Sequence, residues 1–307
     1  MISTRARPFA WALAAWPALE IDQRLFTRVI GVAGAVVGLT VVLQSLGLDV
    51  FAPAGLSARL SLYGTLGNPD FVASVLMPMV IILARPLPDP LPRGARGERE
   101  IEGVLIVAAL VLTRSFGTLL AAFVALLVLL IFRRGKGALV MALMGALLMV
   151  GLVGRDADRA ISGRQYLVAV ALPHVLDAPL LGHGLGATVL AWPEWELAYW
   201  RARCPDAACV AADPQRRFAG LQDHLHADWL EWLLERGVLG TLALLLALVA
   251  PVIANREKSD PFILAALAAV LARSFVDFPF HRPADLCLLA ALLAQVSPPL
   301  TPTSSTS

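Results

Sequence analysis

Eight apolar stretches poor in charge run along this chain, at roughly 29–48, 71–84, 101–113, 116–132, 137–153, 233–254, 262–276 and 285–296. A run of about 20 apolar residues is what a perpendicular helix needs to cross the hydrocarbon core of a bilayer. Several of these runs are shorter, so they must extend into neighbouring polar residues or pair inside a bundle. Lipid satisfies no backbone N–H or C=O, which leaves helices as the spanning element for runs of this kind. The sequence therefore predicts an all-α polytopic membrane protein of about eight transmembrane helices. Composition agrees, with 58% apolar and 16% charged residues against about half and a quarter in soluble domains. A net charge of +2 is too small to suggest a nucleic-acid partner.

The sides follow from the basic residues. "RGARGERE" before residue 101 and "RRGK" after residue 132 flank the outer ends of a region that "TRSFG" breaks into a hairpin. Short loops rich in Lys and Arg stay in the cytoplasm. Counting crossings then puts 85–100, 133–136, 255–258 and both termini inside, with 49–70, 113–115, 154–228 and 277–284 outside. The segment 1–28 reads as an interfacial helix, because its apolar piece "FAWALAAWPALE" is too short to span and ends in Glu20. The tail 297–307, rich in Pro, Ser and Thr, reads as disordered.

The one long outer loop, 154–228, is the chemical face. It carries seven arginines: Arg155, Arg159, Arg164, Arg201, Arg203, Arg216 and Arg217. A guanidinium grips phosphate through two parallel hydrogen bonds, so the cluster suits a diphosphate-linked lipid. The bland explanation is composition, since the chain has 23 arginines and only 2 lysines. "SGRQYLVAVALPHVLD" reads as a helix begun at a Ser162 cap, with Leu167, Val170, Ala171 and Val175 on one face. Trp192, Trp195, Trp200, Trp229 and Trp232 in and beside the loop read as anchors at the bilayer interface. Cys204 and Cys209 form a disulfide or remain two thiols, and Cys287 lies in an apolar run, where packing is the expectation.

The loop ends in "DHLHADWLEWLLERGVLG", with His224 and His226 two residues apart. Three readings stand. Both could ligate a metal with Asp223, Asp228 or His183, although thiolates and the H-E-x-x-H spacing are missing. One could be a general base, oriented by Asp228 or Glu231. Either could simply cap the next helix.

Four stretches in order resemble the O-antigen ligase and O-antigen polymerase superfamily of bacterial membrane glycosyltransferases. "YGTLGNPDFVA" resembles its G-T-x-G-N-P-N-x-x-A motif, and "TRSFGTLLAAFVALLVLL" its S-R-G-leading helix. "SGRQYLVAVALPHVLDAPLLGHGLG" resembles its S-G-R…D-x-P-L-x-G-x-G-x-G segment, and "HLHADWLEWLLERGVLG" its H-x-H-N-x-x-L…E-x-G-x-x-G segment. The resemblance implies transfer of a glycan from undecaprenyl diphosphate to a hydroxyl on the outer face of the bacterial inner membrane. The acceptor would be lipid A-core, a lipid-linked repeat or a protein side chain. No metal and no other cofactor is implied, because the diphosphate lipid is already activated. The catalytic positions map on His226 as base and Arg164 as diphosphate ligand. Arg216, Arg217, His224 and Asp228 are expected at the substrates. Departures are Ala227 in place of the motif's Asn, and Arg114-Ser115-Phe116-Gly117 in place of S-R-G. Members commonly have more crossings, so a membrane partner could supply the missing helices. The alternative is a non-catalytic subunit or carrier in polysaccharide assembly or export.

Overall fold

The computed structural model describes residues 22–49, 62–86, 93–132 and 157–296, and these are helical with no strand among them. Of the segment 1–28 read as interfacial, residues 1–21 fall outside the described residues, as do the run at 137–153 and the tail, while residues 23–28 begin a long helix. The other seven apolar runs coincide with helices. These are α1 (Gln23–Ser45), α2 (Pro69–Leu83), α3 (Arg93–Thr113), α4 (Phe116–Phe132), α8 (Asp228–Asn255), α9 (Pro261–Arg273) and α10 (Pro283–Val296). The loop between them folds into α5 (Ala157–Asp177), α6 (Ala187–Arg203), the short α7 (Ala207–Ala212) and a 3-10 turn at Pro214–Phe218. By length and composition α1 and α8 can cross a membrane, while α2, α9, α10 and the 117–132 stretch are shorter apolar helices.

Shortness is explained by position for α2. Asn68 caps it by accepting from the Asp70 N–H at 2.8 Å, Pro69 fills its first turn, and every residue from Val72 to Leu83 is buried. It forms the centre of the bundle, touching α1, α3, α4, α9 and α10. The break at Arg114 (φ 48°) separates α3 from α4 as the sequence predicts. The two helices then choose different partners, α3 packing on α1 and α4 on α9. Glycines allow the first contact. A Cβ on Gly38 would lie 2.7 Å from the Leu105 carbonyl oxygen, so the backbones meet there as small residues permit in membrane helix pairs. At one end of the bundle Arg85 pairs with Asp260 at 2.6 Å, and Arg99 closes the carboxyl end of α2 by donating to the carbonyls of Leu83 and Arg85.

The loop region has its own core. Tyr166, Leu167, Val170 and Ala171 of α5 pack with Trp192, Trp195 and Trp200 of α6 and with Leu225, Leu230 and Leu234. The predicted apolar face of α5 is the one buried, but the helix starts at Ala157, so Ser162 lies inside it rather than at its start. The tryptophans differ from expectation too. Trp192, Trp195 and Trp200 are buried in the core of the loop region, and Trp232 is buried in the bundle core against Phe280. Cys204 and Cys209 are joined, with Cα atoms 5.4 Å apart. Cys287 is exposed on the outside of α10 rather than packed.

Candidate functional site

A break in α8 fixes the site's frame. Gly237 leaves helical geometry (φ 63°, ψ −173°), which frees the carbonyls before it and the N–H groups after it. The glycine-rich turn after α5 takes them all up. His183 N–H donates to Leu234 O at 2.7 Å and Gly184 N–H to Glu235 O at 3.0 Å. Val238 N–H in turn reaches Pro179 O at 2.8 Å, and Leu239 N–H reaches Leu180 O at 3.2 Å. An apolar setting makes each such group costly if unpaired. Only glycine fits the crossing: a Cβ on Gly237 would stand 2.3 Å from Leu180 backbone, and one on Gly182 2.5 Å from the Arg236 amide. The "PLLGHGLG" and "ERGVLG" motifs are thus two halves of one joint.

The first turn of α8 docks on the loop between α9 and α10. Asp228 N–H donates to Ser274 O at 2.8 Å and to Asp277 O at 3.2 Å. That loop, 274–282, carries an ionic centre. Asp277 is buried, and its Oδ2 accepts from Arg273 Nη2 and from Arg282 Nη1, each at 3.1 Å. Arg273 also donates to Thr118 Oγ1 at 3.0 Å and to Asp70 O at 2.7 Å. Gly117 leaves room for it, since a Cβ there would lie 3.0 Å from the guanidinium. Ser115 donates to the Asp70 carboxylate. Arg282 donates to Ser74 at 2.7 Å, pairs with Asp285 at 2.7 Å and lies 4.5 Å over the Phe71 ring. Buried charges persist only when paired in this way.

His226 faces this centre. Its φ of 52° is left-handed, a conformation that costs a non-glycine residue free energy and recurs at functional sites. The ring rests edge-on against Phe278 and is 43% exposed, with Nδ1 3.9 Å from Asp277 Oδ1. That oxygen is buried and has no hydrogen-bond partner among the described residues. Burial pushes the Asp277 carboxyl up, but His226, Arg273 and Arg282 outweigh it and hold the group well below the usual carboxylate range. A carboxylate fixed from behind by two arginines, with one oxygen toward an exposed imidazole, can orient that ring as a proton acceptor. Arg164 reaches the same loop, donating from Nε to Val276 O at 2.7 Å. Burial lowers its pKa, while the charges of Asp70 and Asp277 work the other way.

His224 turns inward instead. Its Nδ1 is 3.0 Å from Glu231 Oε1, and its ring stacks on Phe278 and meets the His281 ring at 4.4 Å. His281 Nδ1 bonds Asp228 Oδ1 at 2.7 Å, while its Nε2 lies 3.3 Å from Glu231 Oε1. Phe280 N–H donates to Asp228 Oδ2 and Leu225 N–H to Glu231 Oε2. Burial disfavours a charged His281, but the bond to Asp228 and the Glu231 charge outweigh it and raise its pKa above the ordinary 6.5. His224, Glu231 and His281 are the group among the described residues whose donor atoms, within 4.8 Å of one another, could hold a metal ion.

The structure therefore brings His226 and Arg164 to the 274–282 loop, and the inward-turned His224 and Asp228 meet the same loop through Phe278, His281 and Asp277. Asp228 is fully buried, bonded to His281 and to the Phe280 N–H. Arg217 donates to Ser162, two residues before Arg164 in the chain, at 3.2 Å, and both Arg217 and Arg216 are exposed. His183 sits apart, bonded to the His174 carbonyl at 2.7 Å. Asp277, Arg273, Arg282 and His281 were not among the expected site residues. The readable trace of the first two was a pair of ionisable residues four apart at the end of an apolar run.

The fold and site define a helical protein with an ionic centre, a half-exposed histidine and accessible arginines at one end of its bundle. Residues 103–245 match the family model described as O-antigen ligase (Wzy_C). The match takes in Arg164, His224 and His226 and ends before the 274–282 loop. No curated protein matches the chain.

Proposed function

We propose that the chain transfers a glycan from undecaprenyl diphosphate to an acceptor hydroxyl, on lipid A-core, a lipid-linked repeat or a protein side chain, at the outer face of the bacterial inner membrane. His226 is the base. Asp277 draws its Nδ1–H, which leaves Nε2 to take the acceptor's proton as the acceptor oxygen attacks the anomeric carbon. The bond from that carbon to the diphosphate breaks, and undecaprenyl diphosphate leaves with the electron pair. Arg164 neutralises the charge that develops on it, with Arg216 and Arg217 as further diphosphate ligands. The step uses no metal at the reacting atoms, since the diphosphate is already a competent leaving group once its charge is held.

One observation carries this reading: a half-exposed, left-handed His226 faces the free oxygen of an arginine-anchored Asp277, with Arg164 bound to the same loop. The orientation is supported from both ends. "NREK" at 255–258 adjoins Asp260 at the end opposite the site, as cytoplasmic basic residues would. The Cys204–Cys209 bond lies on the site's own lobe, as an oxidising outside would allow. The test is reconstitution of the purified chain with an undecaprenyl-diphosphate-linked glycan and each acceptor in turn. The expected result is glycosylated acceptor together with released undecaprenyl diphosphate. Absence of product with every acceptor, alone and with co-expressed membrane partners, would instead make the chain a non-catalytic subunit or carrier.

A further inference from the structure

The cluster beside the transfer site gathers two buried carboxylates and two imidazoles. Asp228 and Glu231 are two buried carboxylates, 0% and 2% exposed, and the side chains bonded to them are His281 and His224 rather than arginine or lysine. Asp228 takes the proton on His281 Nδ1, which in a neutral ring leaves the lone pair on Nε2. That lone pair faces Glu231 Oε1 at 3.3 Å, and His224 Nδ1 faces the same oxygen at 3.0 Å. The donor atoms of His224, His281 and Glu231 thus converge within 4.8 Å of one another, where a metal ion or a proton on an imidazole can supply the balancing charge.

We propose that His224 Nδ1, His281 Nε2 and Glu231 Oε1 bind a divalent metal ion, zinc by the chemistry of the ligands. Two imidazoles and a carboxylate are a common zinc set, and a four-coordinate zinc with bonds of about 2.0–2.1 Å holds its ligand atoms roughly 3.3 Å apart. The two nitrogen-to-oxygen separations lie at or just under that value, and all three donor atoms lie within 4.8 Å of one another. The surroundings are those that zinc ligands need. A histidine that binds metal through one nitrogen normally gives the other to a carboxylate, and Asp228 supplies it, itself held by the Phe280 N–H. The non-ligating oxygen of Glu231 is held by the Leu225 N–H. An ion of charge two balances Asp228 and Glu231 while both imidazoles stay neutral. The fourth position opens toward solvent beside His224 and His281, whose side chains are 18% and 13% exposed.

The ligands come from three places in the chain: the 223–227 loop, the first turn of α8 and the 3-10 turn Pro279–His281. Bound zinc therefore ties the loop that carries His226 to the loop that carries Asp277. Neither His226 nor Arg164 is a ligand, so the site stands or falls independently of the transfer reading.

The experiment uses the full chain, purified in detergent with any affinity tag removed, and reads metal content by mass spectrometry. Wild type and His226→Ala should each carry about one zinc per chain, while His281→Ala and Glu231→Gln carry less than roughly a tenth of that. After chelation, added zinc should raise the melting temperature of the wild type and leave that of His281→Ala unchanged. If His281→Ala does not fold, His224→Gln, altered at a half-buried loop position, must show the same loss. Wild-type protein without zinc and without a melting shift on its addition would overturn the proposal and make a proton the missing charge. Zinc retained by His281→Ala or by His224→Gln would overturn it as well.

Discussion

His226 and His224 stand two residues apart and each meets a buried carboxylate, yet their surroundings are opposite. Asp277 is gripped from behind by Arg273 and Arg282, so one of its oxygens is left for His226, whose ring reaches solvent. Glu231 and Asp228 are held by imidazoles, with no arginine or lysine bonded to them among the described residues. The left-handed turn at His226 makes the division, sending one ring out and the other in. A histidine–carboxylate contact is therefore a poor guide to catalysis by itself. What matters is which cations fix the carboxylate and whether the ring keeps a free nitrogen at the surface.

The largest effect should come from unpairing the open centre. Arg273→Ala leaves Asp277 buried beside one arginine instead of two and should cost about 3–5 kcal/mol, read as a drop in melting temperature or a failure to accumulate. An unchanged melting curve would mean that the ionic centre is not formed. Asp277→Asn keeps the shape but weakens the orientation of His226, and transfer should fall by ~10²-fold, the low end for general-base catalysis. Asp228→Asn, in the imidazole-held cluster, should act on stability more than on transfer, and equal losses of rate from the two variants would erase the distinction between the clusters. Gly237→Ala forces a side chain into the joint beneath both clusters and should destabilise by about 1–3 kcal/mol without selecting either. The smallest effect concerns acid. Because the folded pKa of Asp277 is below its ordinary 3.8, its contribution to stability is complete above 3.8 and is lost only as pH falls through the lower folded value. The stability difference between wild type and Asp277→Asn should therefore not shrink as pH falls from about 7 to 5. A difference that shrinks within that range would contradict a carboxylate held by two arginines.

Much of this was legible in the sequence, for physical reasons. Apolar runs mark helices because the membrane period is long and the turn residues are strong, and "TRSFG" breaks a helix wherever it falls. The motifs "GNPDF", "RSFGT" and "SGR" pointed to a site, and Asp70, Ser115, Thr118 and Arg164 now meet around one loop. The loop itself was not legible. "SFVDFPFHR" reads as a short link between two apolar runs, and only the packing of α9 beside α4 and α2 turns Arg273 and Asp277 inward. The tryptophans misled because enrichment at an interface and enrichment in a small core give the same composition. The pair of histidines misled because a two-residue spacing places both rings on one side only in an extended strand, and His226 is not extended.

The central claim is that the outward-turned histidine moves the proton and the inward-turned one does not. Its most direct test is the initial rate of transfer from an undecaprenyl-diphosphate-linked donor by reconstituted wild type and His226→Ala, matched for folded protein. The account predicts a ~10²–10⁴-fold loss in His226→Ala. Transfer by His226→Ala at the wild-type rate would contradict it.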